Sequence, residues 1–199
     1  MCAKKQTLCK AIVNDLNLWY IKVYELIFKK KDYMELNIVM VEPEIPQNTG
    51  NIVRTCAALG AKLHLVYPLG FDVSDRYLKR AGLDYWDKMD IEFHDSLDSF
   101  LEKYPPELNN MFFTSKKAKN VYSEVEFSKM DKIFVLFGKE TKGLPEELLQ
   151  RYFDKSIRIP MREGLRCLNQ SNSVAIVAYE IERQNGFKEL EKESKYFDK

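Results

Sequence analysis

The stretch IRIPMREGLRCLNQSNS, residues 157–173, contains the end of a buried strand, a charged loop and the start of a helix. Ile157 and Ile159 alternate with a charged residue, as in a strand, and Pro160 ends the strand because it has no N–H to donate. Three residues with capping oxygens precede the apolar run that follows: Asn169, Ser171 and Asn172. The loop between strand and helix carries two arginines, a carboxylate and a glycine. Such a loop is poor core material, so we expect it to hold a polar ligand.

Strand and helix patterns alternate outward from this stretch, beginning at Met34. Apolar runs predict further strands over 36–41, 62–66, 111–114 and 133–137. Helical spacing and capping residues predict helices over 51–59, 75–80, 96–103, 146–152 and 169–184. Alternation of this kind predicts an α/β fold with a mainly parallel sheet flanked by helices.

The composition is that of an ordinary globular protein. The chain has 199 residues, of which 45% are hydrophobic and 31% charged, so it has room for one domain with a sizeable core. The 31 basic and 30 acidic side chains leave a formal net charge of +1. This balance argues against nucleic-acid binding by net charge alone, but it leaves room for a local basic patch.

Cysteine and histidine provide no metal-binding pattern. The four cysteines, at positions 2, 9, 56 and 167, have neither CxxC nor zinc-ligand spacing, which favours a reducing compartment without disulfides. His64 lies in a strand-like run and His94 near the end of another. No cysteine or second histidine is near either of them in the sequence, so structural roles are favoured over metal ligation or acid–base chemistry.

Residues 1–33 differ from the rest of the chain. Their apolar run, 11–28, contains charged residues, so it is too short and too charged for a membrane span, and it lacks the cleavage site of a signal peptide. An amphipathic helix on a membrane surface is one interpretation. The favoured interpretation is an extension that is not native, upstream of a natural start at Met34. We therefore expect one domain over 34–186, followed by a charged tail over 187–199.

The segment 48–54 follows the first predicted strand, at the edge of the sheet where ligands bind in open α/β folds. Pro46 is expected to hold the approach extended, and the helix N–H groups that follow suit an anion. Arg54 could then clamp a phosphate. The alternative is that Asn48 or Asn51 simply caps the helix, with Arg54 on a solvated face.

A second loop, 137–145, has two glycines that permit close backbone approach or a positive φ. It is not a Walker loop, because no Gly-Lys-Ser/Thr follows a spaced glycine. Glu140 lies between the glycines, directly after a strand, where its carboxylate could orient a hydroxyl or an arginine. Neither this loop nor the other two contains a Ser-His-Asp set. Cys167 has no base beside it in the sequence, so lining a ligand site suits it better than acting as a nucleophile.

These segments resemble the motifs of the SPOUT superfamily of RNA methyltransferases. The match runs from Leu36 to Gln184 and rests on four stretches in order: 42–54, 80–85, 137–145 and 157–173. Any one stretch is weak evidence for the family, but all four in order at consistent spacing form a specific pattern. The match is close enough to indicate the TrmL branch, which is similar to enzymes that methylate the 2′-oxygen of the wobble nucleotide, cytidine or a modified uridine, in leucine tRNAs.

The resemblance implies a deep C-terminal trefoil knot that holds S-adenosyl-L-methionine, mostly through backbone groups, and a methyl transfer that needs no metal. On the family pattern the residues at this methyl donor are Phe113, Gly138, Ile159, Cys167 and Leu168. The family usually has serine at the position of Cys167. If that contact needs the hydroxyl, affinity for the methyl donor should drop, because a thiol is a much weaker hydrogen-bond partner.

The resemblance also implies which residues carry the reaction. Arg54 would lie at the ribose hydroxyl, where it would position the nucleophile and stabilise negative charge, because a guanidinium is not deprotonated in proteins. Glu140 and Asn169 would orient Arg54 and the ribose. The residues implied at the RNA substrate are Asn48, Arg80, Lys116 and Arg166.

The implied partners are the anticodon stem-loop of tRNA and a second copy of the chain, with the last helix at the dimer interface. The implied location is the cytoplasm, without a membrane. Further basic residues near predicted loops are candidates for RNA contact: Arg76, Lys79, Lys117 and Lys142. One alternative is a methyltransferase of this superfamily that acts on ribosomal RNA or on another tRNA position. A second is an RNA-binding factor without activity, which the presence of Arg54, Glu140 and Asn169 disfavours.

Overall fold

Seven parallel strands form one sheet in this computed structural model, which describes residues 34–72, 89–194 and 196–197. In chain order the strands are β1 (Glu35–Val41), β2 (Lys62–Val66), β3 (Ile91–His94), β4 (Asn110–Thr114), β5 (Asn120–Val121), β6 (Lys132–Phe137) and β7 (Ser156–Arg158). They lie in the order β3-β2-β1-β6-β4-β7-β5, and every neighbouring pair is parallel. The carboxyl ends of the strands therefore meet at one edge of the sheet.

Four α-helices within the described residues cover the two faces of this sheet. They are α1 (Pro46–Leu59), α2 (Leu97–Lys103), α3 (Glu146–Arg151) and α4 (Gln170–Gln184). Apolar residues of α1 and α4 share one core with β1, β2 and β6. Apolar residues of α2 and α3 belong to a second core with the opposite face of the same strands. The predicted α/β fold with a parallel sheet flanked by helices is thus confirmed.

The central strand β1 has no solvated face, because a helix layer covers each side. Ile38 and Met40 pack in the core shared with α1 and α4, while Val39 and Val41 pack in the core shared with α2 and α3. All four side chains are at most 2% exposed. Burial on both faces explains why this strand has a nearly continuous apolar run instead of an alternating pattern.

The first helix begins earlier than the sequence pattern indicated. α1 starts at Pro46 instead of Asn51, so the predicted extended approach through Pro46 was wrong. Proline suits the first helical position because its missing N–H would have no partner there and its fixed φ is helical. The N-cap residue is Ile45, so capping by Asn48 or Asn51 was wrong as well. Asn48 lies buried in the first turn of the helix.

No bounds were predicted for the two edge strands, β3 and β5, although His94 was placed near the end of a strand. β3 has four residues and β5 has two, and most of these residues are partly exposed, so neither has the apolar run of an inner strand. The other strands and helices differ from their expected bounds by at most one residue, apart from α1. The helix predicted over 75–80 lies outside the described residues.

The last helix ends where the sequence predicted. α4 ends at Gln184, and Gly186 has a φ of 73°, a left-handed conformation that glycine adopts without strain. In the described part of the tail beyond it there is no helix or strand. The backbone contacts of the described residues group them as one unit. The expected extension over 1–33 lies outside the described residues.

The two cysteines in the described ranges are free. Cys56 is fully buried in α1, and burial raises the pKa of its thiol to about 12, whereas Cys167 is exposed. Cys2 and Cys9 lie outside these ranges. None of the helices described here has both the length and the apolar character that a membrane span requires.

Phe134 in β6 provides a test of the packing around the central strands. It is fully buried, and its ring contacts those of Phe100 in α2 and Tyr104. Phe134→Ala should lower the free energy of unfolding by about 3–5 kcal/mol, because it leaves a cavity. Urea denaturation followed by circular dichroism measures this change. Leu108→Ala, at a side chain that is 82% exposed, is the control and should change stability by less than about 0.5 kcal/mol. Equal losses in the two variants would contradict the packing.

Candidate active site

Two loops are joined by reciprocal hydrogen bonds at the carboxyl edge of the sheet. They follow β1 and β6, which are hydrogen-bonded neighbours, so the loops start side by side. The Glu44 N–H donates to Glu140 Oε2 at 2.9 Å. In the other direction, the N–H and hydroxyl of Thr141 donate to the Glu44 carboxylate at 3.0 and 2.9 Å. Each carboxylate therefore fixes the loop opposite its own.

A line of polar side chains connects these loops to the start of α4. Asn48 Nδ2 donates to Glu140 Oε1 at 3.1 Å, and Asn48 Oδ1 accepts from Asn169 Nδ2 at 2.9 Å. Asn169 Oδ1 in turn accepts from the Ser171 N–H at 2.9 Å, which makes Asn169 the N-cap of α4. The three segments of the predicted site thus meet through Glu140, Asn48 and Asn169, which we call the Glu–Asn–Asn network.

The backbone directly after β1 is strained. Glu42 has a φ of 50°, which lies in the left-handed region and costs a residue with a Cβ roughly 1–2 kcal/mol. Two interactions hold it there: its N–H donates to the Val66 carbonyl at 2.9 Å, and its carboxylate pairs with Lys139 Nζ. Strain maintained by its surroundings is common at functional sites.

The turn after β6 needs both of its glycines, for different reasons. A Cβ on Gly138 would lie 2.0 Å from the Gly143 carbonyl carbon and 2.1 Å from the Leu144 nitrogen, so only glycine permits this backbone approach. Gly143 has a φ of 73°, and its N–H donates to the Lys139 carbonyl at 2.8 Å, which closes the turn.

Gln170 leaves a buried acceptor next to Gly138. Its Nε2 donates to the Gly138 carbonyl, while its Oε1 is buried with no hydrogen-bond partner in the described part of the chain. Leaving such an acceptor unpaired costs about 1–3 kcal/mol. A ligand that donates a hydrogen bond at this edge would remove that cost. The sequence pattern did not single out Gln170 for any role.

The residues expected at the methyl donor lie around the ends of three adjacent strands. Phe113, Gly138 and Ile159 lie at or just after the ends of β4, β6 and β7, which are neighbours in the sheet. The Phe113 ring is fully buried and stacks on Tyr152, so only its backbone could meet a ligand. Leu168 is 40% exposed in the loop before α4, next to the exposed Cys167.

Within the described residues, the structure does not join the other residues predicted for catalysis and RNA binding into one hydrogen-bonded set. Arg54 is exposed on α1, and no hydrogen bond or ion pair joins it to Glu140 or Asn169 in the described part of the protein. Asn48 uses both ends of its amide within the network, so the structure gives it a positioning role. Arg166 and Lys116 are exposed. Arg80 lies outside the described residues.

Two residues of the site, one acidic and one with a hydroxyl group, were not singled out from the sequence. Glu44 and Thr141 hold the two loops together, yet in the sequence each is an ordinary polar residue in a loop. Both lie within the motif stretches 42–54 and 137–145, a few residues after the ends of neighbouring parallel strands, where ligands bind in open α/β folds.

A family model described as the SpoU rRNA Methylase family matches residues 35–179. This range contains all seven strands and the residues of the Glu–Asn–Asn network. The chain therefore belongs to this family and is a methyltransferase.

Individual proteins of known type agree with this assignment. A relative from Listeria innocua, provisionally named a tRNA (cytidine(34)-2'-O)-methyltransferase, is 49% identical over 164 residues, which cover 82% of this chain and 96% of the relative. A solved structure described as "Structural insights into the 2-OH methylation of C/U34 on tRNA" is 44% identical, with a TM-score of 0.72, and the match covers 79% of this chain and 99% of that chain. An AdoMet-bound rRNA methyltransferase from Sinorhizobium meliloti is 25% identical, with a TM-score of 0.67, over 75% of this chain and 56% of that chain.

The close approach at Gly138 can be tested by adding one methyl group. Gly138→Ala should lower the free energy of unfolding by more than about 3 kcal/mol, because its Cβ meets backbone that cannot turn away. Gly60→Ala is the matched control: its φ is 66° and its Cβ would have open space, so the loss should be about 1–2 kcal/mol. Urea denaturation measures both changes, and equal losses would contradict the steric account.

Proposed function

We propose that this protein transfers a methyl group from S-adenosyl-L-methionine to the ribose 2′-oxygen of the wobble nucleotide, a cytidine or modified uridine, in leucine tRNAs. The observation that carries the proposal is the Glu–Asn–Asn network, which joins the three motif segments at the carboxyl edge of a SpoU-family sheet. The tRNA substrate is supported by the relatives named for cytidine 34 at 49% identity. The leucine isoacceptors rest on the resemblance to the TrmL branch.

The same comparisons favour tRNA over ribosomal RNA as the substrate. The relative named for tRNA is 49% identical and is covered over 96% of its length. The rRNA methyltransferase is 25% identical and is covered over only 56% of its length. This chain thus matches nearly the whole of the first protein and about half of the second.

The residues at the sheet edge fit S-adenosyl-L-methionine as the methyl donor. Gln170 Oε1 is a buried acceptor with no hydrogen-bond partner among the described residues, and Gly138 allows a backbone approach that a Cβ would block. The residues that would hold the donor are Phe113, Gly138, Ile159, Cys167 and Leu168. When bound, the donor supplies an activated methyl group on a sulfonium ion, which needs no metal. The proposed site is accompanied by a deep trefoil knot in the C-terminal segment, and the insertion of β7 between β4 and β5 supports that topology.

The chain's own residues then act on the ribose hydroxyl. Arg54 positions the hydroxyl and stabilises the negative charge that develops on its oxygen as the hydroxyl loses its proton. The O–CH₃ bond would form as the bond between the methyl carbon and the sulfonium sulfur breaks, which would leave the donor as a neutral thioether. The guanidinium stays protonated throughout, so the proton released by the hydroxyl passes to solvent or to an RNA phosphate. Glu140 and Asn169 are positioned by their mutual partner Asn48 and hold the reacting groups in place.

Exposed basic residues near the site provide the RNA contacts. Arg166 lies in the exposed loop before α4, and Lys116 and Lys117 follow β4. Lys117 pairs with Glu146 at 2.9 Å on the surface, so Lys116 and Arg166 are the better candidates for phosphate contact. The active form is a cytoplasmic homodimer with α4 at the interface, where Tyr179 is 46% exposed.

The function is tested by incubating the protein with labelled S-adenosyl-L-methionine and total tRNA from a strain that lacks the gene. Nucleoside mapping should locate the label in a 2′-O-methylated wobble nucleotide of leucine tRNA. Label at another position would refute the wobble assignment but keep the reaction. Absence of label from both tRNA and ribosomal RNA would refute the enzymatic proposal.

Arg54→Ala tests the role of the guanidinium. The variant should lose about 100- to 1,000-fold in kcat, because a group that stabilises charge only in the transition state has been removed. Its binding of S-adenosyl-L-methionine, measured by calorimetry, should stay nearly unchanged. Arg151→Ala is the control, since Arg151 is an exposed residue at the end of α3 that pairs with Glu107, and its loss should leave kcat as it is. A rise in KM for tRNA with normal kcat would assign Arg54 to RNA binding instead.

A further inference from the structure

Two histidines that are far apart in the sequence meet at the edge of the sheet formed by β2 and β3. His64 is the register partner of Glu92, and His94 lies two residues further along β3, so all three side chains project from the same face. That face is covered by α2, where the Phe100 ring contacts both imidazoles. His64 is fully buried and His94 is 6% exposed. We call His64, Glu92 and His94 the His–Glu cluster.

The spacing of the ligand atoms in the His–Glu cluster is that of a tetrahedral metal site. His64 Nδ1 and His94 Nε2 are 3.0 Å apart, and Glu92 oxygens lie 3.3 Å from His94 Nε2 and 3.9 Å from His64 Nδ1. Zinc binds histidine nitrogen at about 2.0–2.1 Å, so neighbouring ligand atoms around it are roughly 3.3–3.4 Å apart. The distance from Glu92 Oε1 to His94 Nε2 matches that value, and the distance between the two nitrogens is shorter. The 3.9 Å distance to His64 Nδ1 belongs to the second carboxylate oxygen, Oε2, so the carboxylate would turn when Oε1 binds the ion.

A neighbouring asparagine orients His64 for this role. Asn37 Nδ2 donates to the backbone carbonyls of Ile133 and Glu35, both at 3.3 Å, so its Oδ1 is left to accept. This oxygen is 3.0 Å from His64 Nε2, which must therefore carry the proton. His64 Nδ1 then carries the lone pair of the neutral ring, and it accepts a hydrogen bond from His94 Nε2 at 3.0 Å. Histidine ligands of metals commonly donate their other N–H to an oxygen in this way.

The charge state of the His–Glu cluster also suits a cation. His64 donates from Nε2 to Asn37 and accepts at Nδ1 from His94, so its imidazole is in the neutral form that binds metals. Burial lowers the pKa of both histidines, which favours the same neutral form. Burial alone would raise the pKa of Glu92, but hydrogen bonds from Lys103, Lys62 and Tyr104 outweigh it and lower the pKa to about 2. The cluster therefore offers two neutral nitrogens and one carboxylate.

Two lysines compete for that carboxylate. Lys103 Nζ and Lys62 Nζ each lie 2.8 Å from a Glu92 oxygen. Lys103 holds the oxygen that faces His94, and its side chain is 58% exposed, so it can turn into solvent when another cation arrives. Lys62 occupies the other oxygen and can stay in place.

We propose that the His–Glu cluster binds a divalent transition-metal ion such as Zn²⁺, with His64 Nδ1, His94 Nε2 and a Glu92 oxygen as protein ligands and water as the fourth ligand. On binding, the ion takes the place of the proton between the two imidazoles, and the proton of His94 moves to its Nδ1. The ion joins β2 to β3, so this is a structural site. It is separate from methyl transfer, since none of its ligands bonds to the Glu–Asn–Asn network within the described residues.

The test uses the full chain, freed of metal with a chelator and with its accessible thiols alkylated so that cysteine cannot compete. Titration with Co²⁺ should give the strong visible absorption of tetrahedral coordination, saturating at one ion per chain. Zn²⁺ should abolish this absorption by displacement and should raise the melting temperature, as a ligand of the folded state must. Absence of this absorption in the unaltered chain would overturn the proposal without any variant.

Three variants locate the site, and circular dichroism establishes that each is folded. Asn37→Ala keeps all three ligands but removes the acceptor that orients His64, so affinity for Co²⁺ should fall about 10- to 100-fold. His94→Gln and Glu92→Gln each remove a ligand, so the affinity of these variants for Co²⁺ should fall by at least the same factor. Glu107→Gln is the matched control: Glu107 is an exposed carboxylate held by Tyr152 and Arg151, with no histidine. Binding that survives in the three variants, or that is lost in the control, would refute the assignment.

Discussion

The carboxylate of Glu140 holds the functional edge of the sheet together. One oxygen fixes the backbone that follows β1, and the other fixes Asn48 in the first turn of α1. Asn48 passes the connection to Asn169, the cap of α4. Hydrogen bonds to a carboxylate are stronger than those between neutral groups. Here the donors are the Glu44 N–H, shortly after β1, and the Asn48 amide, in the first turn of α1. Three segments distant in sequence are therefore held in a fixed arrangement before any ligand arrives.

The packing below the edge makes this arrangement possible. Helices cover both faces of the sheet, so the inner strands are buried on each side and cannot shift without opening one of two cores. The turn after β6 approaches itself so closely at Gly138 that a Cβ has no room. Rigid strands thus support short, tightly closed loops. Because these loops cannot shift, they can hold reacting groups in the precise positions that methyl transfer requires.

The sequence predicted most of the fold but only part of the site, and the difference has a physical origin. Runs of apolar residues located the inner strands, and the capping oxygen of Asn169 located the start of α4 to within one residue. Local patterns carry no such signal for β3 and β5, which are short edge strands. The start of α1 was misplaced because a proline can either extend the chain or open a helix.

Contacts across the sheet were beyond any local pattern. Glu140 and Asn48 are 92 residues apart, and Asn48 and Asn169 are 121 apart, so periodicity could not join them. The family resemblance grouped these residues around Arg54, whereas the structure joins them through Asn48. His64 and His94 looked isolated because their meeting depends on the parallel pairing of β2 with an edge strand whose bounds and neighbour the sequence did not indicate.

The contrast between Cys56 and Cys167 has a practical consequence. The thiol of Cys56 stays protonated inside α1, where no reagent in solution reaches it. Cys167 is exposed in the loop that leads into α4, two residues before the side chain that caps that helix. Within the described part of the chain, a thiol-reactive dye will therefore attach at this loop. Because Cys167 is one of the residues proposed to hold the methyl donor, a bound donor should slow the attachment of the dye at this loop, and the rate of labelling there would report occupancy of the carboxyl edge.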